Sequence, residues 1–440
     1  MSDEVQPPRL WMPRRRFLGV AGASLAASFS AACAAGGSGG GSGGSTKLPF
    51  WDMTWGVTDA YNADAKAVVA GFKDNATTAS YQTISWSNFN ETFATAIASH
   101  TGPAVSSGGG FQAFQFAKQG AIAYADNLLD SMKKSGIYDD FLPGTIAAMK
   151  TPNGYAAIPW NLDVVVLWYR KSVLDAAGVT ALPQTWDEYL TVAKQLAKKG
   201  YYAFGTGNGS DNSFGYESLF SMMINNGGGL FAPDGTLDVV TDRNIEAIEF
   251  VLELVKAGAV DPGAVSYSTA NYNAKWSSKS IGMGWYDGYL DANLNLVGDA
   301  LVADPLTGPH GGKGTIQYIN NIMMYTNSPS QAASEAFVAY YVQNLHTLWS
   351  KKVVPEMPAL RSIVNSPSFQ SDKQALKIAQ KWQPYAKSLA AQSVPLTAQL
   401  ASIDGGTASF NFASTVLSGG SDAKTALVNL ESGIKSAISS

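Results

Sequence analysis

Residues 48–97 alternate apolar strands with helical segments, and this alternation constrains the fold more than any other feature of the chain. Residues 48–52 predict a short strand, and apolar side chains at helical spacing follow it up to Phe72. Residues 80–86 predict a second strand, with helical periodicity behind it up to Ile97. Because strands and helices in alternation form parallel β-α-β units, the sequence predicts the α/β class.

The chain is long enough for two hydrophobic cores. It has 440 residues, and a single core stops growing at roughly 250–300 residues. Its content of 46% hydrophobic residues is typical of a folded protein. Cys33 is the only cysteine, so no disulfide can form within the chain and the cores must supply the stability. We therefore predict two domains.

The N-terminus has the order of a secretory signal. Arginines at 14–16 precede an uncharged, weakly apolar run at 17–32, which is too short for a membrane-spanning helix of roughly 20 apolar residues. The arginines resemble a twin-arginine signal, which exports folded proteins. Residues 30–33 resemble a lipobox, in which the cysteine, here Cys33, is acylated and becomes the mature N-terminus.

These features predict a lipid-anchored protein. We assign residues 1–32 to the export signal and residues 33–46 to a tether, because the Gly/Ser run at 36–45 is a flexible coil. The alternative interpretation of Cys33 is a lone buried cysteine. With an acylated Cys33, the folded part lies at the extracytoplasmic face of the bacterial cell membrane.

Charge and motif spacing exclude several function classes. The formal net charge is −4, and without a basic stripe nucleic acid is not an expected partner. His100, His310 and His346 are too far apart in sequence for the spacing of a zinc site. The glycine-rich run at 205–209 lacks the register of a nucleotide-binding loop. We therefore expect no metal and no cofactor.

Three local signals predict helices in the middle of the chain. Residues 171–177 form a helical segment that Gly178 closes as a left-handed cap. Thr185 and Glu188 have the spacing of a capping box. Residues 243–256 predict an amphipathic helix. Its expected apolar face comprises Ile245, Ile248, Leu252 and Val255.

Several segments, in one order along the chain, resemble the signature of a single family. Residues 157–163 read AIPWNLD, and the segments LWYRK at 167–171 and LPQTWDE at 182–188 follow them. The other matches are TGPAV at 101–105, NNGGGLF at 225–231 and KSIGM within 276–289. Together they resemble the extracellular sugar-binding proteins of bacterial ABC importers, the maltose-binding-protein-like solute-binding family. The resemblance runs over nearly the whole mature chain.

The resemblance implies a type II periplasmic-binding-protein fold, an α/β architecture of two hinged lobes with central sheets flanked by helices. It assigns residues 47–161 and 302–344 to lobe 1, and residues 162–301 and 345–440 to lobe 2. A sugar is held in the cleft between the lobes. The implied function is capture of a mono- or oligosaccharide by a monomeric, membrane-anchored receptor and its delivery to the permease subunits of an ABC importer.

The resemblance and the chemistry of sugars together predict the ligand-binding residues. Sugars present apolar faces and a ring of hydroxyls, so a sugar cleft combines aromatic rings with planar polar groups. The predicted residues are Trp51, Trp55, Gln112, Trp160, Asn161, Asp163, Tyr216, Trp285, Asp287, Tyr289, Asn320, Asn321 and Arg361.

Two alternatives remain open from the sequence. Trp51 could belong to the core rather than to the cleft, and Asp163 could cap a turn. The runner-up function is an exported glycoside hydrolase or lyase that uses Asp163 and Asp287 as paired carboxylates. The sequence does not name the sugar.

The predicted lipid anchor can be tested by fractionation. Replacing Cys33 by alanine removes the acylated side chain, so the Cys33→Ala variant should move from the membrane fraction to the medium. Immunoblotting of both fractions measures this redistribution. An unchanged distribution would show that Cys33 does not anchor the protein.

Overall fold

The computed structural model of the chain describes residues 46–56, 58–74, 76–86, 89–391 and 395–439. The predicted export signal, Cys33 and the Gly/Ser run lie outside the described residues. The first described element is the strand Thr46–Met53, which begins at the last residue of the range assigned to the tether. No helix in the described part of the chain is both long and apolar enough to cross a membrane.

The described residues form thirteen strands in three sheets, together with eighteen α-helices. The strands are β1 (Thr46–Met53), β2 (Lys73–Asp74), β3 (Thr77–Ile84), β4 (Val105–Gly108), β5 (Lys150–Thr151), β6 (Gly154–Tyr155), β7 (Ile158–Val164), β8 (Val166–Arg170), β9 (Met283–Tyr286), β10 (Ala300–Val302), β11 (Thr315–Met324), β12 (Met357–Pro358) and β13 (Ala386–Lys387). The helices are α1 (Thr58–Ala70), α2 (Phe89–Ala98), α3 (Gln112–Lys118), α4 (Asp126–Ser135), α5 (Lys171–Ala177), α6 (Trp186–Ala197), α7 (Phe214–Asn225), α8 (Asp242–Lys256), α9 (Thr269–Ser277), α10 (Leu290–Asn293), α11 (Gln331–Asn344), α12 (His346–Ser350), α13 (Arg361–Val364), α14 (Pro367–Ser371), α15 (Lys373–Lys377), α16 (Leu400–Ile403), α17 (Thr407–Leu417) and α18 (Ala423–Ser439).

The largest sheet has the strand order β12-β7-β11-β4-β1-β3-β2, and β13 pairs with β11. β1 is parallel to both β3 and β4, which confirms the predicted parallel β-α-β units. β11 runs antiparallel between β4 and β7. The C-terminal ends of β1, β3, β4 and β7 therefore lie at one edge of the sheet, which is where ligands gather in open α/β sheets.

Two hydrophobic cores are present, as the length of the chain predicts. The first core packs against the largest sheet and includes Phe50, Phe337 and Tyr341. The second core surrounds the sheet of β10, β8 and β9 and includes Trp168 and Trp276. Strands and helices around two cores give the two-lobed α/β fold, which confirms the predicted fold class.

The two cores bury two short segments that the resemblance assigned to the other lobe, and the lobe bounds stay a prediction. Leu345 and Trp349 pack in the first core, although residues 345–440 were assigned to lobe 2. Val302 and Ile316 pack in the second core, although residues 302–344 were assigned to lobe 1. The physical reason is that each segment belongs to the core that buries its apolar side chains, and motif spacing does not encode that choice.

The local helix signals are confirmed. Gly178 has a φ of 76° and caps α5, and Thr185 and Glu188 form both hydrogen bonds of the capping box before α6. On α8, Ile248 is fully buried, and the other three named residues, Ile245, Leu252 and Val255, pack partly buried against the second core. The most deeply buried residues of the helix are Asn244, Ala247, Ile248, Val251 and Leu254.

A buried ion pair fixes the end of β8 in the second core. Arg170 is 3% exposed, and its Nη2 lies 2.6 Å from Asp299 Oδ2. Its Nε donates to the same carboxylate oxygen at 3.0 Å, and its Nη1 donates to the Trp276 carbonyl. The Ser172 amide donates to Asp299 Oδ1 at 2.7 Å. Asp299 therefore ties the end of β8 to the start of α5, and the Arg170 that it holds binds the end of α9.

Removing this carboxylate should destabilise the protein strongly. Asp299→Ala leaves the Arg170 guanidinium buried without its partner, which costs about 3–5 kcal/mol of the free energy of unfolding. Asp175→Ala is the matched control, because it removes a 2.6 Å pair with Lys171 that is exposed on both sides and should change little. Urea denaturation measures the free energy of unfolding of both variants. Equal losses in the two variants would contradict the structural role of Asp299.

Candidate functional site

A bulge between β7 and β11 brings polar side chains of both strands to one face. The pairing register shifts at Asn320, so that Asn320 lies opposite Asn161 and Tyr318 lies opposite Asp163. Directly opposed residues in a sheet share a face. Asn320 Nδ2 donates to Asn161 Oδ1 at 2.6 Å, and the Gly110 amide donates to Asn320 Oδ1 at 3.0 Å. These bonds hold the amide groups beside the end of β4.

Three tryptophans stand together at the same edge of the sheet. Trp55 follows β1, Trp86 follows β3, and Trp160 lies in β7. The Trp55 ring centroid lies 5.0 Å from that of Trp86 and 5.2 Å from that of Trp160, with interplanar angles of 86° and 79°. A Cβ at Gly109 would lie 3.0 Å from the Trp86 ring and 3.9 Å from Asn320 Oδ1, so the rings adjoin the amides.

Five buried carboxylates from five segments repel one another, and one of them, Asp163, shares the face of Asn161 and Asn320. Asp163 lies in β7, Glu217 in the first turn of α7, Asp287 after β9, Glu356 before β12, and Asp404 before α17. Repulsion couples Asp163 to Asp404, and Asp287 to Asp163, Glu217 and Glu356. In the described part of the chain, no lysine or arginine forms an ion pair with any of the five. The described residues also contain no group of three or more acids, histidines or cysteines that could hold a metal ion.

Burial and mutual repulsion raise the pKa of every member of this cluster. Burial raises the pKa of Glu217 and that of Glu356 to about 8, and repulsion from Asp163 adds to both. Burial raises the pKa of Asp404 to about 6, against the hydrogen bond from the Tyr216 hydroxyl. Burial and neighbouring carboxylates hold the pKa of Asp163 and that of Asp287 above the usual range. Near neutral pH the cluster therefore retains protons that exposed carboxylates release.

Buried polar atoms without partners mark the interior of the site. Among the described residues, the unpartnered acceptors include Asp163 Oδ1, Asp287 Oδ1 and Glu356 Oε2. The unpartnered donors include Gln112 Nε2, Trp160 Nε1, Asn161 Nδ2 and Trp285 Nε1. Buried polar groups in native proteins are almost always hydrogen-bonded, so these atoms are suited to a ligand or to water. A molecule that both donates and accepts hydrogen bonds would satisfy these unpartnered atoms.

Most of the predicted ligand-binding residues come together here. Trp55, Trp160, Asn161, Asp163, Asp287 and Asn320 form the cluster described above. Tyr216 joins it, because its hydroxyl donates to Asp404 Oδ1 at 3.1 Å. Gln112 joins it at the start of α3, where its Oε1 accepts from the Gly109 amide at 2.7 Å.

Three other predicted residues border the site with mainly packing contacts. The Trp285 ring lies in the second core, 6.2 Å from the Trp382 ring, with its Nε1 unpartnered. Asn321 Nδ2 donates to the Gly110 carbonyl at 3.0 Å. Tyr289 has a φ of 55° and packs in the first core, although Leu290 beside it packs in the second. Tyr289 therefore joins the two cores.

The structure does not bring Trp51 or Arg361 to this cluster. The Trp51 ring packs edge-on against Phe93 of α2 at 5.4 Å, on the helix-covered face of the sheet. Arg361 is exposed, and its Nε donates to the Phe141 carbonyl at 3.3 Å.

Sequence reasoning missed Glu217, Glu356, Asp404 and Trp86. Glu217 carried a usable signal, because an acid that is 7% exposed stands in the first turn of a helix whose other residues are mostly apolar. Trp86 was predicted only as part of a strand, although it ends that strand at the cleft edge. Glu356 and Asp404 lie in irregular segments, where no periodicity distinguishes a cleft acid from a surface one.

A cavity of about 920 Å³ borders the same strands. Its lining includes Leu162, Gln317 and Ile319, which alternate with Asp163 along the strands, and also Tyr318. No carboxylate of the described residues lines that cavity. We assign the candidate site to the carboxylate face, because chemistry rather than volume distinguishes the two.

A two-lobed α/β fold with a polar, aromatic-lined edge between its cores is the architecture of a solute-binding protein. The chain belongs to the bacterial extracellular solute-binding protein family, whose model matches residues 54–344.

Relatives agree with this membership. A crystal structure of a sugar transporter from Arthrobacter chlorophenolicus A6 with bound laminaribiose is 48% identical, covers 89% of this chain and 99% of that chain, and has a TM-score of 0.83. Maltose-bound MalE3 of T. maritima is 16% identical, covers 89% of this chain and 99% of its own, and shares the fold with a TM-score of 0.74. An arabinooligosaccharide-binding protein of Halalkalibacterium halodurans is 26% identical over 184 residues, which are 40% of each chain. The chain thus spans less than half the length of that curated relative.

The raised pKa values predict that the protein loses stability as the pH rises. In the unfolded chain these carboxylates have ordinary pKa values near 4, so the folded state binds their protons more tightly. The free energy of unfolding should fall from about pH 4, where the carboxylates ionise in the unfolded chain, to about pH 8, where Glu217 and Glu356 ionise in the folded state. Asp404 contributes to this fall up to about pH 6. The slope is up to about 1.4 kcal/mol per pH unit for each group that is protonated in the folded state only. Urea denaturation at several pH values without sugar measures it.

A matched pair of variants assigns this slope to the cluster. Glu356→Gln removes one buried carboxylate and should flatten the pH dependence. Glu253→Gln changes an exposed carboxylate that pairs with Lys194, and it should leave the slope unchanged. A stability that is constant or increases between pH 6 and pH 8 would contradict the raised pKa values.

Proposed function

We propose that this chain is the receptor of a bacterial ABC sugar importer, which captures a saccharide between its lobes and delivers it to the permease. The observation that carries the proposal is a cleft edge where unpaired carboxylate and amide atoms adjoin three tryptophans. Membership of the solute-binding family and the laminaribiose-bound relative support it.

The ligand that this chemistry favours is an uncharged saccharide. A sugar hydroxyl both donates and accepts, so it satisfies acceptors such as Asp163 Oδ1 and donors such as Asn161 Nδ2. An anionic ligand would find no cation paired with these carboxyls in the described chain, and the ionised members, such as Asp404, would repel it. Indole faces cover the apolar C–H surface of a sugar ring. We propose a mono- or oligosaccharide, with laminaribiose as the first candidate.

Binding should close the two lobes on the sugar. We propose that the two cores are the lobes and that β7 and β11 form the hinge between them. Trp160 packs in the first core, whereas Glu217 and Asp287 lie on elements of the second. A sugar that hydrogen-bonds to groups of both lobes stabilises the closed arrangement by its differential affinity for that state.

We propose further that the receptor is a monomer held at the extracytoplasmic face of the membrane by acylated Cys33 after twin-arginine export. The support for this part is the order of arginines, apolar run and cysteine in the sequence. The family description agrees with an extracellular location.

We propose that the protein returns its sugar unchanged. The alternative of a glycoside hydrolase would use Asp163 and Asp287 as its carboxylate pair. The matching family and the laminaribiose-bound relative are a binding protein family and a transporter. Prolonged incubation with laminaribiose should yield no glucose on chromatography, and release of glucose would favour the alternative.

Calorimetry and thermal unfolding with laminaribiose test the binding site. A saturating sugar at 100 times its dissociation constant stabilises the folded protein by about 2.7 kcal/mol. Trp86→Ala should weaken binding by roughly thirtyfold, because it removes an aromatic anchor of about 2 kcal/mol. Its melting temperature without sugar should change little, since Trp86 is 39% exposed.

Tyr385→Ala is the control for this prediction, because Tyr385 is a similarly exposed ring, at 44%, that lies against Lys313. That variant should bind as the unmodified protein does. If neither laminaribiose nor a panel of other mono- and oligosaccharides raises the melting temperature, the receptor proposal is wrong.

A further inference from the structure

The Trp55 ring is tied to the interior of the first core by a single side chain. Trp55 Nε1 donates to Ser107 Oγ at 3.1 Å, across 52 positions of sequence. The Met53 amide donates to the same oxygen at 2.9 Å. Ser107 lies in β4 with no exposed surface, and Trp55 is 4% exposed. The orientation of this indole thus depends on one hydroxyl.

That hydroxyl has no remaining hydrogen-bonding capacity. A serine hydroxyl donates one hydrogen bond and accepts two. Ser107 accepts from Trp55 and from Met53, and its proton goes to Asp52 Oδ1 at 2.5 Å. An unprotonated Asp52 Oδ1 therefore leaves the two serine lone pairs free for the Trp55 and Met53 donors. If Oδ1 carried a proton aimed at Ser107, three donors would compete for two lone pairs.

Asp52 is a fully buried carboxylate without a cationic partner among the described residues. Tyr61 of α1 donates to its Oδ2 at 2.8 Å. The other titratable groups that face it are the hydroxyls of Tyr81 in β3 and Tyr341 in α11. Burial raises the pKa of Asp52 to about 6, against the hydrogen bonds of Ser107 and the tyrosines.

We propose that Asp52 and Ser107 are positioning residues for sugar recognition: ionised Asp52 orients the Ser107 hydroxyl, and Ser107 fixes the Trp55 ring against which Trp86 and Trp160 stand. The assignment deepens the proposed function and rests on it, because Trp55 matters only if the tryptophans meet the ligand. Neither residue touches the sugar itself.

The arrangement of the rings explains why one bond matters. Trp55 stands between the other two tryptophans and is nearly perpendicular to each. Edge-to-face contacts depend on ring orientation, so rotation of Trp55 would disturb both contacts at once. A site that is fixed before the ligand arrives loses less freedom on binding. Loss of the Ser107 bond should therefore weaken binding without removing any atom of the site.

The first measurement follows the Trp55 indole N–H by NMR in the full, sugar-free chain with labelled tryptophan, with the signal assigned by its loss in Trp55→Phe. In Ser107→Ala this signal should shift and exchange faster with solvent. Ser106→Ala is the matched control, because Ser106 is equally buried in the same strand but bonds Tyr325 on the other face. An unchanged Trp55 signal in Ser107→Ala would overturn the proposal.

The second measurement is a pH titration of the same signal, which a merely structural serine would not show. In the unmodified protein the Trp55 N–H should titrate with a midpoint near the Asp52 pKa of about 6. In Asp52→Asn, which keeps the shape of the side chain, this transition should be absent. A transition that survives in Asp52→Asn would show that another group controls Trp55.

The third measurement is affinity for laminaribiose by calorimetry. Ser107→Ala should bind about tenfold more weakly, as expected for a hydrogen bond of roughly 1.4 kcal/mol. Ser106→Ala should bind normally, and Ser107→Thr, which restores the hydroxyl, should recover affinity. Normal affinity in Ser107→Ala despite a shifted Trp55 signal would overturn the positioning role. If the unmodified protein bound no saccharide at all, the proposed function would fail instead, and the two NMR measurements would still decide whether Asp52 and Ser107 hold Trp55.

Discussion

The pairing of β7 with β11 is the constraint on which the rest of the structure depends. Along β7, Trp160 packs in the first core and Val164 in the second. Along β11, which runs antiparallel, Ile316 packs in the second core and Ile322 in the first. Because both strands cross from one core to the other, their register decides which side chains point into the space between the cores. A slip by one residue would turn Asp163 and Asn320 to the opposite face and replace them with apolar neighbours. The bulge, whose extra residue is Trp160 of β7 opposite Asn320 and Asn321, is therefore a part of the site.

The acidic cluster conflicts with stability, and this conflict favours a binding function. Buried carboxylates without cations raise the free energy of the folded state, and repulsion among five of them adds to it. In an open cleft water would solvate the same groups. A ligand that supplies the missing hydrogen bonds binds more tightly to the arrangement in which the carboxylates adjoin than to the open cleft. It therefore stabilises that arrangement by the difference between the two affinities. A sugar receptor needs this property, because it must close on its ligand and must not remain closed without it.

The sequence was sufficient for the fold class and for several local elements. Parallel β-α-β units and the capping box at Thr185 follow from patterns that local chemistry enforces, whereas Trp160 and Asp163 were predicted from the family resemblance. Asp404 could not be predicted, because it lies in an irregular segment whose position depends on contacts between distant parts of the chain. The burial of Asn244 on α8 could not be predicted for the same reason. Asn244 is fully buried, because its amide bonds the Gly229 backbone and the Val239 carbonyl, and no apolar pattern reveals that.

The aromatic and acidic parts of the site differ in what holds them. Trp55 bonds Ser107 of the largest sheet, and Trp86 Nε1 donates to the Thr54 carbonyl at 2.6 Å, just after β1. The carboxylates instead adjoin the second core, because the neighbours Val164 of Asp163, Tyr216 of Glu217 and Tyr286 of Asp287 all pack there. Under the proposed function, the rings can therefore receive a sugar face before the lobes close, and the carboxylates test its hydroxyls afterwards. Shape would decide the first step and hydroxyl geometry the second, so a saccharide that stacks well but offers misplaced hydroxyls would bind without closing the lobes.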